Sequence, residues 1–214
     1  MIIRYIGRDN ARKRLASLEG MPGRSVYADG AASLFGVETL VVRPTFGLPH
    51  EGVYETVHVA PLLEAIAADH LVAALLVRLG GYAVGVFEGE RLVASKVGSR
   101  FVKNRHKKGG SSSNRFRRRR EEQAKALVEE AGEVAATVLT PWRERAEFAA
   151  LGGDQRAVEA ALATRRDLAW LRERAIPRFL DVPEPRLRTL EALPYDLYAV
   201  QFEAVSDTGG SGAT

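Results

Sequence analysis

Leu71 to Val97 reads LVAALLVRLGGYAVGVFEGERLVASKV, and this stretch decides the fold. Three apolar runs, Leu71 to Arg78, Tyr82 to Phe87 and Arg91 to Val97, are separated by Gly80-Gly81 and by Glu88-Gly89-Glu90. Runs of this length at hairpin spacing predict three consecutive strands in a meander, with glycine supplying the backbone freedom of tight turns.

Downstream, the apolar pattern stops between Gly98 and Ser113, a stretch that holds Gly109-Gly110 and three consecutive serines. So long an irregular segment inside a domain is usually functional or mobile. A long helix is predicted next, from Asn114 to Val138, with Phe116, Ala124, Leu127, Val128, Ala131, Val134, Ala135 and Val138 on one stripe and Pro141 closing it. Then come a strand at Glu147 to Leu151, a helix from Asp154 to Thr164 that extends toward Arg174, and a stretch punctuated by Pro177, Pro183, Pro185 and Pro194. Leu197 to Val205 reads as a last strand.

Upstream, Ile2 to Ile6 reads as a strand, and Asp9 to Leu18 as a basic amphipathic helix ended by Gly20 and Pro22. Short β-like runs follow at Arg24 to Ala28, Thr39 to Arg43 and Thr56 to Val59, and Pro61 opens a helix running to about Ala67. Strands in a run, then a helix, then mixed elements predict an α/β (α+β) three-layer domain with a mixed sheet. The division expected is an N-terminal α/β segment at 1–55 packed on the main domain, a main domain at 56–205, and a disordered tail at 206–214 rich in Gly, Ser and Thr. No internal repeat is present.

With 214 residues, 46% of them hydrophobic, the chain can bury a core, which excludes a disordered protein. It has no cysteine, which rules out disulfides and thiolate chemistry and points to a reducing cytoplasm. His50, His58, His70 and His106 lack metal-ligand spacing, so no metal and no cofactor is expected. The amino terminus does not read as a signal peptide, and the longest apolar run, Leu71 to Val77, is far short of the ~20 residues that span a bilayer, so no membrane association is expected.

The net charge of +4 is distributed unevenly. Lys96 to Arg120 contains eleven Lys or Arg and no Asp or Glu, leaving 20 basic against 27 acidic residues in the rest of the chain. A cationic segment on an otherwise acidic protein points to one polyanion-binding face. The helix after the serines opens with Arg115-Phe116-Arg117-Arg118-Arg119-Arg120, where the dipole disfavours cations by ~0.3–1 kcal/mol each. Phosphates would offset that cost, since they suit both helix-start N–H groups and guanidinium forks. Pairing of Arg117 and Arg118 with Glu121 and Glu122 is the plainer account of those two. It leaves Arg115, Arg119 and Arg120 unexplained.

The stretch Arg105-His106-Lys107-Lys108-Gly109-Gly110-Ser111-Ser112-Ser113-Asn114-Arg115-Phe116-Arg117 resembles the catalytic segment of the Gly-Gly-Gln domain of eukaryotic and archaeal class-1 release factors. It is most similar to actinobacterial Vms-like release factors, and the likeness is strongest from about Tyr82 to Ala131. The resemblance implies an RNase H-like three-layer fold, peptidyl-tRNA and large-subunit ribosomal RNA as partners, and ester hydrolysis. Ser111 stands where the family has glutamine, and the amide close by is Asn114. The resemblance therefore implies a catalytic set of Gly109, Gly110 and Asn114, with Ser111 and Ser113 beside them. It also implies RNA contacts by Lys103, Arg105, His106, Lys107, Lys108, Arg115, Arg117, Arg118, Arg119 and Arg120.

Asn114 also fits an ordinary helix N-cap, and His106 an exposed loop histidine. Three functions stay open at this level: a peptidyl-tRNA hydrolase, a nuclease cutting the tRNA acceptor end, and a non-catalytic tRNA- or ribosome-binding module. A loop that must enter a confined site favours a monomer.

Overall fold

Asp29 and Gly30 both adopt positive φ, 52° and 70°, so Ala28 and Ala31 face one another across a two-residue hairpin. That turn creates a strand, Ala31–Phe35, beyond those expected from the sequence. The computed structural model describes residues 2–36, 38–99 and 113–205, the first five of the last stretch by backbone alone. The chain divides into two compact units, Met1–Ala68 with Tyr195–Thr214, and Asp69–Pro194.

In the first unit, β1 (Ile2–Ile6) is followed by α1 (Arg8–Ala16), β2 (Pro22–Ala28), β3 (Ala31–Phe35), β4 (Thr39–Arg43), β5 (Gly52–Thr56) and α2 (Ala60–Ala67). A strand from the far end of the chain, β10 (Val200–Val205), completes a six-stranded sheet of order β1-β10-β4-β3-β2-β5 with every pair antiparallel. One sheet face, bearing Tyr27, Ala32, Leu34, Leu40, Val42, Val200 and Phe202, packs with Ala11 and Leu15 of α1 and with Leu62 and Ile66 of α2. The last strand, expected to belong with residues 56–205, thus pairs within the amino-terminal unit. Thr56 to Val59, read as a strand, mostly lies past the end of β5. Val57 and Val59 are buried in the core, and Val57 still exchanges backbone hydrogen bonds with Gly20 and Met21.

Helix α2 is held at both ends. The Glu19 carboxylate accepts the Val59 N–H at 2.6 Å and lies 3.0 Å from His58 Nδ1. Arg8 donates to the carbonyls of Ile66, at 2.9 Å, and of Ala67. The Val59 N–H, with His58 adding to it, holds the Glu19 carboxyl below the usual range against the opposing effect of desolvation. A carboxylate depressed in the folded state stabilises above its unfolded pKa, about 4.3, and loses that contribution as pH falls through the folded value. Glu19→Ala is expected to cost about 1 kcal/mol at neutral pH, as loss of a helix cap does. It should also flatten the fall in urea midpoint below about pH 4.3. An unchanged acid limb would contradict this role.

The second unit contains β6 (Leu71–Arg78), β7 (Gly81–Glu88), β8 (Arg91–Ser99), α3 (Ser113–Leu139), β9 (Phe148–Gly153), α4 (Gln155–Ala163) and α5 (Trp170–Glu173). The sheet order is β8-β7-β6-β9, antiparallel through the meander and parallel between β6 and β9. Counted within the unit this is 3-2-1-4, the RNase H-like order that the resemblance implied. Strand β6 is central and buried on both faces from Leu71 to Val77, which is why it reads as an unbroken apolar run. Leu71, Ala73, Leu75 and Val77 join Tyr82, Val84 and Val86 against Leu127, Ala131, Ala135 and Leu139 of α3 and Val158, Ala161 and Leu162 of α4. On the opposite face, Leu190 of α6 (Leu187–Leu197) closes on Gly85, where a Cβ would lie 3.2 Å from it. The three layers are α3 with α4, the mixed sheet, and α6.

Two elements differ from expectation. Helix α4 spans Gln155–Ala163, capped by Asp154 and Thr164 as expected, and it does not continue toward Arg174: the chain turns at Arg165, whose guanidinium is clamped by Asp167 at 2.9 Å and Glu133 at 2.7 Å. The proline-punctuated stretch contains α6, with Pro194 inside it and Leu190, Leu193 and Leu197 buried at helical spacing. The tail at 206–214 lies outside the described residues.

Candidate functional site

The cationic segment joins the end of β8 to the start of α3, and three contacts fix where these two elements lie. Gly98 on β8 is the register partner of Tyr82 on β7. The Tyr82 ring lies over the Gly98 Cα, so that a Cβ there would come within 2.3 Å of it. The Tyr82 hydroxyl in turn donates to Glu130 of α3 at 3.0 Å. The end of β8 is thereby held level with Glu130, about two thirds of the way along the helix.

Helix α3 has 27 residues, about 40 Å at ~1.5 Å per residue. Its last turn lies at the opposite end of the sheet, where the chain soon returns through the Glu147 N–H bonded to the Leu71 carbonyl. The helix therefore runs back along the sheet from an origin beyond the sheet's edge. From Ser113 to Glu130 it rises about 25 Å. Burial agrees: none of Arg118 to Ala126 is buried, and the core begins at Leu127. The expected stripe holds at Leu127, Ala131 and Ala135, which are buried, and at Val128, Val134 and Val138, which are partly so. The side chain of Phe116 lies outside the described residues.

The arginines of this unit fall into two kinds. Arg78 donates to the Val182 carbonyl at 2.7 Å, Arg172 meets Glu159 at 2.8 Å, and Arg174 donates to the Ala146 carbonyl at 2.6 Å. Each of these ties two segments together. Arg118 and Arg119 are exposed and Arg120 is half-exposed, and none forms a hydrogen bond or ion pair with a described residue. The pairing of Arg118 with Glu122 is not formed, while Lys125 and Glu129 on the same helix approach to 3.7 Å. Three consecutive guanidinium groups are thus displayed on the overhanging part of α3 without a structural task.

The other predicted site residues stand as follows. Lys103, Arg105, His106, Lys107, Lys108, Gly109, Gly110 and Ser111 lie outside the described residues. Ser113, Asn114, Arg115 and Arg117 belong to the first turns of α3, described by backbone alone, and Asn114 is its second residue. The first N–H groups of a helix have no partner within it, so this end of α3 presents donors beside the cationic run. Among the described residues, no cluster of three or more His, Asp or Glu suits a metal, and no helix is long and apolar enough to cross a membrane.

Sequence reasoning did not single out Gly98, Tyr82 and Glu130 as the clamp beneath this site. The available signal was Gly98 at the end of a strand, since an isolated strand glycine often marks close approach by another group.

Comparison with known proteins gives one family and a set of distant structures. A family model described as "Actinobacteria/chloroflexi VLRF1 release factor" matches residues 70–203, well over half of the chain. No curated protein matches. Among solved structures, the archaeal translation termination factor aRF1 aligns at 16% identity and TM-score 0.44, covering 89% of this chain and 73% of that one. A structure titled "Archaeal protein" aligns at 17% identity and TM-score 0.39, covering 76% of this chain and 51% of that one. Neither structural likeness is close enough to bear on activity. By the family match over residues 70–203, the chain belongs to the Actinobacteria/chloroflexi VLRF1 release factors.

Proposed function

We propose that this protein hydrolyses the ester bond of peptidyl-tRNA on the ribosome or its large subunit, freeing stalled nascent peptides. The observation that carries the reading is the run Arg118 to Arg120, displayed without protein partners on the stretch of α3 ahead of its first buried residue, Leu127, about 20 Å long, at the end of an acid-free cationic segment. A cationic overhang of this length suits a narrow cavity walled by RNA. In this reading Lys103, Arg105, His106, Lys107, Lys108, Arg115 and Arg117 join Arg118, Arg119 and Arg120 on phosphates of ribosomal RNA and tRNA.

The chemistry asks little of the protein in acid–base terms. A water oxygen attacks the ester carbonyl carbon, the bond to the tRNA ribose oxygen breaks, and that oxygen takes a proton from the water. Donors aimed at the developing oxyanion and a positioned water lower the barrier. In this reading the carboxamide of Asn114 and the backbone at Gly109 and Gly110 supply both, with Ser111 and Ser113 beside them. Asparagine is one methylene shorter than glutamine, so the backbone must approach the ester more closely, which glycine permits.

Incubating ribosome-bound peptidyl-tRNA with the protein, then resolving peptide, intact tRNA and shortened tRNA, tests the reading. Free peptide with intact tRNA is expected. Shortened tRNA would reassign the chain as a nuclease, and saturating occupancy with neither product would make it a non-catalytic binder.

Binding has its own expected signature. Replacing Arg118, Arg119 and Arg120 together by alanine should lower the slope of log affinity against log salt by about 2, at ~0.7 per lost single-strand phosphate contact. Arg172→Ala, which loses only its Glu159 partner, should leave that slope unchanged. Equal slopes for the triple variant and wild type would remove these arginines from the interface.

A further inference from the structure

We infer that the first unit carries a second RNA-contact surface, made by Arg4 of β1 and Arg12, Lys13 and Arg14 of α1, which binds the phosphodiester backbone. The sequence analysis marked Asp9 to Leu18 as a basic amphipathic helix, and the proposed release chemistry makes no use of it. Residues 4–14 contain five Lys or Arg and a single acid, Asp9. With this segment and Lys96 to Arg120 set aside, 15 basic residues face 26 acidic ones in the rest of the chain. The excess positive charge of an otherwise acidic chain is gathered in two places, one in each unit.

The structure separates cations with a local task from those without one. Arg8 is spent on the carbonyls at the end of α2, and Arg43 pairs with Glu203 at 3.2 Å. Arg4, Arg12, Lys13 and Arg14 are all exposed, and none forms an ion pair with a described residue. Asp9, four residues before Lys13, is not within ion-pair distance of it. Arg4 and Phe202 are register partners on adjacent strands, so they share a sheet face. The Arg14 guanidinium lies 5.2 Å from the centre of the same Phe202 ring. Arg14 thus lies over the ring of the residue that Arg4 pairs with on the adjacent strand, which puts both cations on the same sheet face.

The dipole of α1 accounts for part of this, since Lys13 and Arg14 lie in its last turn, where cations are favoured. It does not account for Arg4, which is on a strand, or for Arg12. A membrane surface fits less well. A helix that lies on a bilayer buries its apolar face in the lipid, whereas Ala11 and Leu15 of α1 are fully buried in the protein core. Guanidinium groups with free edges match phosphate geometry, and four exposed cations within residues 4–14 suit a polyanion better than a single anion. The choice of RNA as that polyanion rests on the reading of the chain as an RNA-facing protein.

The test uses the full chain with Arg4, Arg12 and Lys13 all changed to glutamine, leaving Arg8 and Arg14 in their packing roles. Binding is measured against isolated large ribosomal subunits, a single-stranded RNA oligomer and phosphatidylserine vesicles across a salt series, alongside peptide release. The expected result is at least a tenfold loss of RNA affinity at low salt, and a slope lowered by about 2, from ~0.7 per phosphate contact. The thermal midpoint should be unchanged, and Arg43→Gln should bind as wild type. RNA binding equal to wild type in the triple variant overturns the inference, as does wild type that binds no RNA, or a loss confined to vesicles. If the triple variant does not fold, Lys13→Glu alone must still lower RNA affinity, and unaltered affinity counts against the surface. Absent peptide release with charge-dependent RNA binding would sink the hydrolase reading and leave this surface standing, and release with unaltered binding would do the reverse.

Discussion

Asn114→Ala is expected to lower the rate of peptide release by about 10²–10³-fold while leaving ribosome affinity within about twofold, because one donor aimed at a developing oxyanion is typically worth that much. Among the described residues Asn114 lies in the first turn of α3, where a capping role is the competing account. If capping were its role, alanine would cost about 1 kcal/mol of stability and leave chemistry intact. Measuring single-turnover release and the thermal midpoint on the same variant separates these two outcomes. Full release by Asn114→Ala would remove the catalytic assignment without touching the substrate. Asn114→Gln retains the carboxamide on a longer arm and should keep part of the activity.

Gly153→Ala should be the most damaging small substitution for the fold of the second unit, costing about 3–5 kcal/mol from left-handed strain plus overpacking. Gly153 closes β9 with φ at +101°, and a Cβ there would stand 2.3 Å from the Val77 carbonyl oxygen and 2.9 Å from its carbon. Those are backbone atoms of the central strand, and the same carbonyl accepts the Asp154 N–H at 2.7 Å where α4 begins. Relieving the clash means parting β9 from β6 or shifting α4, whose far end packs against α3 closely enough for a Cβ on Gly132 to fall 2.0 Å from Thr164 Oγ1. Gly80→Ala is the internal control, since Gly80 has a similar φ of +104° and nothing within 4 Å. It should show the strain alone, about 1–2 kcal/mol. Equal losses of urea midpoint for the two variants would show that the contact with Val77 contributes nothing.

The meander and the long helix were legible because their signals are local. An unbroken apolar run bounded by glycines has few readings other than a central strand, and β6 spans the residues the pattern marked, Leu71–Arg78. Helix α3 likewise follows its apolar stripe, within a residue of the expected ends. The hairpin at Asp29-Gly30 was equally local and was passed over, because Ala31 to Phe35 is short and mixed in polarity. Helix α6 was hidden by Pro194, which reads as an interruption although the helix runs through it to Leu197. The turn after α4 depends on Arg165 reaching Glu133, 32 residues away, so apolar periodicity carries no sign of it.

For the candidate site, the sequence by itself determined the chemistry on offer: the acid-free cationic segment, the Gly-Gly pair and Asn114 ahead of Arg115-Phe116 are matters of composition and order. Only the tertiary structure decided which arginines are available, since Arg78, Arg165, Arg172 and Arg174 carry the same charge as Arg118 to Arg120 yet are committed to carboxylates or carbonyls. It also decided the overhang of α3, set by the clamp of Gly98, Tyr82 and Glu130, and the partners of β10, which pairs with β1 across some two hundred residues. The reason is one of range. Strand and helix patterns are written in neighbouring residues, whereas the pairing of distant strands and the spending of a charge depend on which segments the folded chain brings together.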